Sequence, residues 1–126
     1  MFISYSRKDS AWVRDVLLPN LENHSFSVVI DFRDFKAGSL GVEEMERAVE
    51  ETRHTVLVLT KNYVESNWAK FENAMAQSQD PGAVKRKLIP ILLEKCDLPP
   101  RLEMLHNRDL SGDDPQQWDL LYRDLM

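Results

Sequence analysis

Within HTVLVLT (54–60), the residues after His54 form an unbroken run of β-branched and aliphatic side chains, with no alternation between apolar and polar positions. A strand that is apolar on both faces has to be covered on both. Parallel sheets sandwiched between helices meet that condition, and half-solvated antiparallel sheets do not. The flanks of the run agree with this. Val42 to Arg53 carries Met45, Ala48, Val49 and Thr52 at helical spacing, and from Trp68 onward Trp68, Phe71, Glu72 and Met75 share one helical face. Helix, doubly buried strand and helix in succession imply β-α alternation with right-handed crossovers.

The rest of the chain continues that alternation. MFISY (1–5) reads as a strand, and Asp9 or Ser10 as the cap of a helix carrying Trp12, Val13, Val16, Leu17 and Leu21. Pro19 should kink or shorten that helix, because it lacks an N–H and its ring crowds the preceding turn. SVVIDF (27–32) reads as the second strand, followed by the glycine-bearing loop RDFKAGSLG. The Trp68 helix should end before Asp80-Pro81-Gly82. KLIPILLE (87–94) is the fourth strand, with Pro90 suggesting an edge or a bulge. NRDLS (107–111) is a weak fifth strand, and Asp114 with Pro115 opens a last helix through Trp118, Leu121, Tyr122 and Leu125. The expected architecture is an α/β, flavodoxin-like three-layer sandwich: a five-stranded parallel sheet flanked by helices. A chain of 126 residues fits one domain over 1–126.

Composition removes several function classes. A net charge of −5 argues against a nucleic-acid face, which needs a surplus of Lys and Arg. Lys85-Arg86-Lys87 reads as a solvated strand entrance, and the G-x-x-G of Gly38 to Gly41 as turn glycines rather than an RNA clamp. No apolar run approaches the roughly 20 residues of a membrane span and no signal peptide is visible, so a cytoplasmic domain without membrane contact is expected. Cys96 is the single cysteine, which rules out an intrachain disulfide. His24, His54 and His106 lack metal-ligand spacing, so no metal is expected. The first strand lacks the acidic pair that a phosphoacceptor receiver needs, and no G-x-S-x-G nucleophile elbow is present.

In open parallel sheets, ligands bind beyond the carboxyl ends of the strands. Here those ends are Tyr5-Ser6-Arg7, Asp31 to Gly41, Thr60-Lys61-Asn62 and Glu94-Lys95-Cys96. Glu72 lies on the helix that leaves the third of them, on a face otherwise apolar. It is either a catalytic carboxylate in a cleft or a structural charge bound to backbone or a neighbouring Arg.

FISYSRKD, DFRDFKAGSL, VLVLTKNYVESNW and LIPILLEKCDLPP, in this order and spacing, resemble a Toll/interleukin-receptor (TIR) domain over nearly the whole chain. Ala37-Gly38, where animal receptors usually carry Pro-Gly, is similar to the stand-alone or effector-type domains common in bacteria. The chain stops inside its final helix pattern, as a domain cut from a longer protein would.

The resemblance implies one of two functions. Some members pair with other TIR domains as scaffolds and recruit partners. Others, in immune, defence or cell-death signalling, self-associate and cleave NAD at the nicotinamide–ribose bond. Their catalytic glutamate follows a tryptophan in W-x-x-x-E spacing, which Trp68 and Glu72 match. Carried over, Glu72 is catalytic and Trp68 walls the nicotinamide pocket, with a core tryptophan as the alternative. Tyr5, Ser6 and Arg7 contact the nucleotide, Arg7 being otherwise a surface charge beside Asp9. Gly38, Ser39 and Leu40 belong to the loop that gates the cleft and mediates domain pairing. NAD is then a substrate, and no cofactor is implied. Phe32, Phe35 and Leu40 are expected to form an exposed, partly apolar surface for self-association.

Overall fold

The computed structural model describes residues 1–76, 88–112 and 114–126, with no side-chain placement for Val42 or for residues 73–76. Strands β1 (Phe2–Ser4), β2 (Thr55–Leu59), β3 (Leu88–Leu92) and β4 (Arg108–Asp109) form one parallel sheet in the order β1-β2-β3-β4. The helices are α1 (Ser10–Trp12, Val13–Leu17 and Leu18–Asn23 in continuous αR backbone), α2 (Asp31–Asp34), α3 (Gly41–Glu51), α4 (Lys61–Ser66), α5 (Trp68–Ala76), α6 (Pro100–Glu103) and α7 (Pro115–Leu125).

β2 is buried at all five positions, and its side chains divide between two cores by the period of two that a strand imposes. Val56 and Val58 join Ile3, Ile89 and Ile91 beneath Val13, Leu17 and Leu21 of α1 and Leu121 and Leu125 of α7. Leu57 and Leu59 join Phe2 and Leu88 beneath Ala48 and Val49 of α3, Tyr63 of α4, Trp68 and Phe71 of α5, and Leu102 of α6. The sheet is thus the middle of three layers, as the HTVLVLT run requires.

Among the described residues, the expectation of five strands is corrected to four. Segment 27–30 lies outside β1, but it contributes only an isolated parallel bridge, Phe2 to Val29. Val29 N–H donates to the Met1 carbonyl at 2.7 Å and its carbonyl accepts from Ile3 N–H at 3.2 Å. Beyond it two aspartates capture the backbone: Ile30 N–H donates to Asp34 Oδ2 at 2.8 Å, and Phe32 N–H to Asp31 Oδ1 at 2.7 Å. Local side-chain acceptors of this kind compete with ladder bonds, and the chain turns into α2 instead of extending a strand.

Other sequence expectations are met differently. α1 is not shortened by Pro19; the helix widens to π geometry over Val13–Leu17 just ahead of it, and the Asn20 amide donates to the Val16 carbonyl at 2.8 Å. Neither Asp9 nor Ser10 caps α1 by its side chain. Ser6 instead caps a 3-10 turn, Arg7–Asp9, accepting from Lys8 N–H at 3.3 Å. Pro90 sits in an interior strand paired with Leu57, and β4 takes up pairing only at Ile91, one residue later. The cap at Asp114 is as expected, accepting from Gln116 N–H at 3.0 Å with Pro115 opening α7. The expected helix end at Asp80-Pro81-Gly82 and the cluster Lys85-Arg86-Lys87 lie outside the described residues.

Phe71 and Glu72 are neighbours on α5 with opposite surroundings, Phe71 at 0% exposure and the Glu72 side chain at 43%. Phe71→Ala should cost about 3–5 kcal/mol of stability in urea unfolding. Glu72→Gln should change it by less than about 0.5 kcal/mol.

Candidate active site

Three hydrogen bonds tie together the carboxyl ends of neighbouring strands. Following β1, the Tyr5 hydroxyl donates to Asp31 Oδ1 at 2.7 Å, reaching the segment outside it. Between β1 and β2, the Thr60 hydroxyl donates to Asp9 Oδ2 at 2.7 Å while accepting from Tyr63 N–H at 3.1 Å as the cap of α4. Between β2 and β3, Lys61 N–H donates to Glu94 Oε1 at 2.9 Å. The chain builds outward from β1 toward segment 27–30 and then toward β2, so the β1–β2 boundary is the reversal point where α/β sheets take ligands. The Asp9–Thr60 bond crosses that boundary.

Tyr5, Ser6 and Arg7 stand at this boundary with unequal accessibility. Tyr5 and Ser6 are buried and Arg7 is exposed. Burial, then the hydrogen bond and the charge of Asp31, push the Tyr5 phenol up to about 12, with Arg14 pulling the other way. Arg14 also lies 4.0 Å above the Phe32 ring, a cation–π contact that steadies the start of α2.

Glu72 and Trp68 share a helix face and separate by depth. Trp68 is buried, its ring centroid 6.0 Å from that of Phe71, and it packs in the core beneath α5. Glu72 stays at the surface, where its Oε2 lies 3.6 Å from Arg101 Nη1 of α6. The two aromatic rings therefore seat the helix, and the carboxylate is what that face presents to solvent.

The loop after α2 holds Gly38 at φ +85°, a left-handed conformation that glycine adopts without strain. An added Cβ there would meet nothing within 4 Å, so the requirement lies in the backbone alone. Ser39 closes the turn on the Lys36 carbonyl through its hydroxyl at 2.5 Å, and Leu40 is 65% exposed. The expected apolar surface is corrected at Phe35, which stacks on Phe2 at 5.9 Å and packs against the core. Phe32 and Leu40 remain as its exposed members.

A cleft of about 780 Å³ opens beyond the ends of β2 and β3, lined by Lys61, Glu65, Glu94, Lys95, Cys96 and Asp97 among others. Burial, with Glu94 and Asp97 beside it, raises the Cys96 thiol and disfavours a nucleophilic thiolate. Among the described residues, no group of three or more His, Cys, Asp or Glu could hold a metal ion, and no helix is long and apolar enough to cross a membrane.

Sequence reasoning placed Asp31 at a strand end without its partner Tyr5, and missed Arg14, Arg101 and the Thr60 partner of Asp9. Asp31 and Tyr5 are 26 positions apart and Asp9 and Thr60 are 51 apart, so no local pattern joins them. The strand-end rule does bring both pairs to one edge of the sheet.

A family model described as TIR domain matches residues 1–125. Protein toll of Drosophila melanogaster is 32% identical over 128 residues, which cover 95% of this chain and 12% of that protein. Human Toll-like receptor 1 is 38% identical over 93 residues, covering 74% of this chain and 12% of the receptor. The chain thus spans about an eighth of the length of these curated relatives. The crystal structure of the TIR domain of the Toll-related receptor TRR-2 from Hydra magnipapillata is similar at a TM-score of 0.83 and 24% identity, covering 98% of this chain and 95% of that one.

The raised Tyr5 phenol yields an alkaline prediction. A group raised in the folded state favours folding below its unfolded value, near 10, and loses that contribution as pH climbs through about 12. Stability should therefore fall between about pH 10 and 12, and Asp31→Asn should lower the Tyr5 midpoint in an ultraviolet phenolate titration while leaving it above 10.

Proposed function

The chain belongs to the TIR domain family, and we propose that this member is an NAD glycohydrolase, cleaving the nicotinamide–ribose bond to release nicotinamide and ADP-ribose or a cyclic isomer. The observation that carries the reading is Glu72. It matches the W-x-x-x-E spacing from Trp68, and its side chain is 43% exposed on a helix whose neighbouring face residues, Trp68 and Phe71, are buried. A carboxylate held at the surface by a rigid apolar base suits this chemistry.

Nicotinamide leaves carrying its bonding electrons onto an already cationic ring, so the departure needs no general acid. What forms at the ribose is an oxocarbenium-like centre. Glu72 accepts from the ribose hydroxyls and stabilises the developing positive charge, the electrostatic half of glycosidase chemistry. Water then adds to the anomeric carbon and loses its proton to solvent; capture by an internal nucleophile gives the cyclic isomer instead. Arg7 holds the pyrophosphate, a task a guanidinium performs bidentately. Tyr5 and Ser6 line the nucleotide side, and Trp68, packed in the core, seats the helix that presents Glu72. Gly38, Ser39 and Leu40 cover the cleft. In this reading NAD is the substrate, with no cofactor and no metal, and the domain is a cytoplasmic part of a longer protein. Ala37-Gly38 supports the effector type within the family, while the relatives described above are animal proteins.

A second reading is a non-enzymatic scaffold that recruits partners by TIR–TIR pairing. The relatives named Toll and Toll-like receptor support it, as does the ion pair that Glu72 makes with Arg101. Chromatography of NAD incubated with the purified domain separates the two.

On the enzyme reading, Glu72→Gln should lower turnover roughly 100-fold or more with an unchanged melting midpoint; equal NAD consumption by the variant and the wild type would remove Glu72 from the mechanism. Self-association should make activity per molecule rise with protein concentration or artificial clustering. Leu40→Ala and Gly38→Ala should flatten that rise, the first by removing an exposed apolar contact and the second by straining the loop. A specific activity that is flat for the wild type would make the monomer the working unit.

A further inference from the structure

We infer that Arg101 is a latch on Glu72, competing with the ribose hydroxyls for the carboxylate and so setting the resting rate of the domain. The inference rests on the NAD reading above. Arg101 is delivered from outside the predicted site by α6, a four-residue helix whose position is fixed at both of its sides. Pro99 and Pro100 restrict the backbone leading into it, and Leu102, 1% exposed, anchors it in the core beneath α5. With Leu102 held inward, the neighbouring guanidinium reaches Glu72 Oε2 at 3.6 Å.

The strength of the pair suits a latch. Its two side chains are 40% and 43% exposed, so water replaces the contact at little cost, and ion pairs of this exposure are worth about 0–1 kcal/mol. That range leaves the carboxylate occupied part of the time and available the rest. A positive charge paired to this carboxylate also opposes the cation that develops at the ribose it would hold, so the guanidinium works against catalysis in both the ground state and the transition state.

The test measures turnover at saturating NAD for the wild type, Glu72→Gln, Arg101→Gln and Arg101→Lys, with melting curves alongside. Arg101→Gln should raise kcat about two- to fivefold, the equivalent of an exposed ion pair. Arg101→Lys keeps the charge and should give a smaller rise. Because salt screens an exposed pair, wild-type kcat should climb between about 20 and about 300 mM salt, and that of Arg101→Gln should not. A merely structural Arg101 would shift the melting curve and leave the salt dependence in place. If the wild type cleaves NAD, Glu72→Gln does not, and Arg101→Gln is no faster than the wild type, the latch is overturned and the NAD reading stands. If neither the wild type nor Arg101→Gln cleaves NAD, the NAD reading itself falls and takes the latch with it. Should Arg101→Gln fail to fold, a wild-type kcat that is flat across salt overturns the latch alone.

Discussion

The burial of β2 on both faces is the condition on which the other elements depend. Five consecutive residues, Thr55–Leu59, lie within the molecule, so each side of the strand needs its own apolar cover. α1 and α7 supply one cover, and α3, α4, α5 and α6 the other. Each fully buried aliphatic or aromatic side chain in these layers is worth about 1.5–3 kcal/mol of transfer free energy. Hence α5 is where it is because Trp68 and Phe71 are needed over Leu57 and Leu59. The position of Glu72 follows from that packing and not from any contact of its own.

The carboxyl edge of the sheet is organised by a different kind of force. Tyr5 with Asp31, Asp9 with Thr60 and Lys61 with Glu94 are polar links that fasten the strand ends above the apolar layers. The Thr60 hydroxyl donates across the β1–β2 boundary while it accepts from the first turn of α4, so the opening of a helix and the closing of a crevice share one oxygen. Serving both roles fixes its rotamer, and such doubly engaged hydroxyls make an edge rigid.

Much of this was legible in the sequence because it depends on period and punctuation. The doubly buried HTVLVLT strand, the α3 face and the Asp114-Pro115 cap are readable from a dozen residues at a time. Segment 27–32 was misread as a full strand because its β-branched residues are strand-like, whereas Asp31 and Asp34 redirect the backbone through side-chain acceptors that no propensity records. Lys61–Ser66 went unnoticed as a separate helix, since its start depends on Thr60 as a cap and its end on Asn67. At the candidate site, the positions of Trp68 and Glu72 could be read from spacing. Arg101 could not, because it comes from another element nearly thirty positions away.

The junction at Asn67 carries a consequence for how this chain can change in length. Asn67, at φ −116° and ψ −27°, is a single stretched αR residue that ends α4, and α5 starts immediately after it, with Phe71 N–H donating to the Asn67 carbonyl at 3.1 Å. Each residue of a helix turns the next by about 100°. One residue deleted between Thr60 and Trp68 would therefore swing the aromatic face off the sheet and carry the carboxylate toward the interior, and one inserted would turn both the opposite way. A change of three or four residues would restore the facing and displace the helix by about one turn. Variation in this connection is thus quantised: lengths that differ by whole turns keep the rings inward and the carboxylate outward, and intermediate lengths do not.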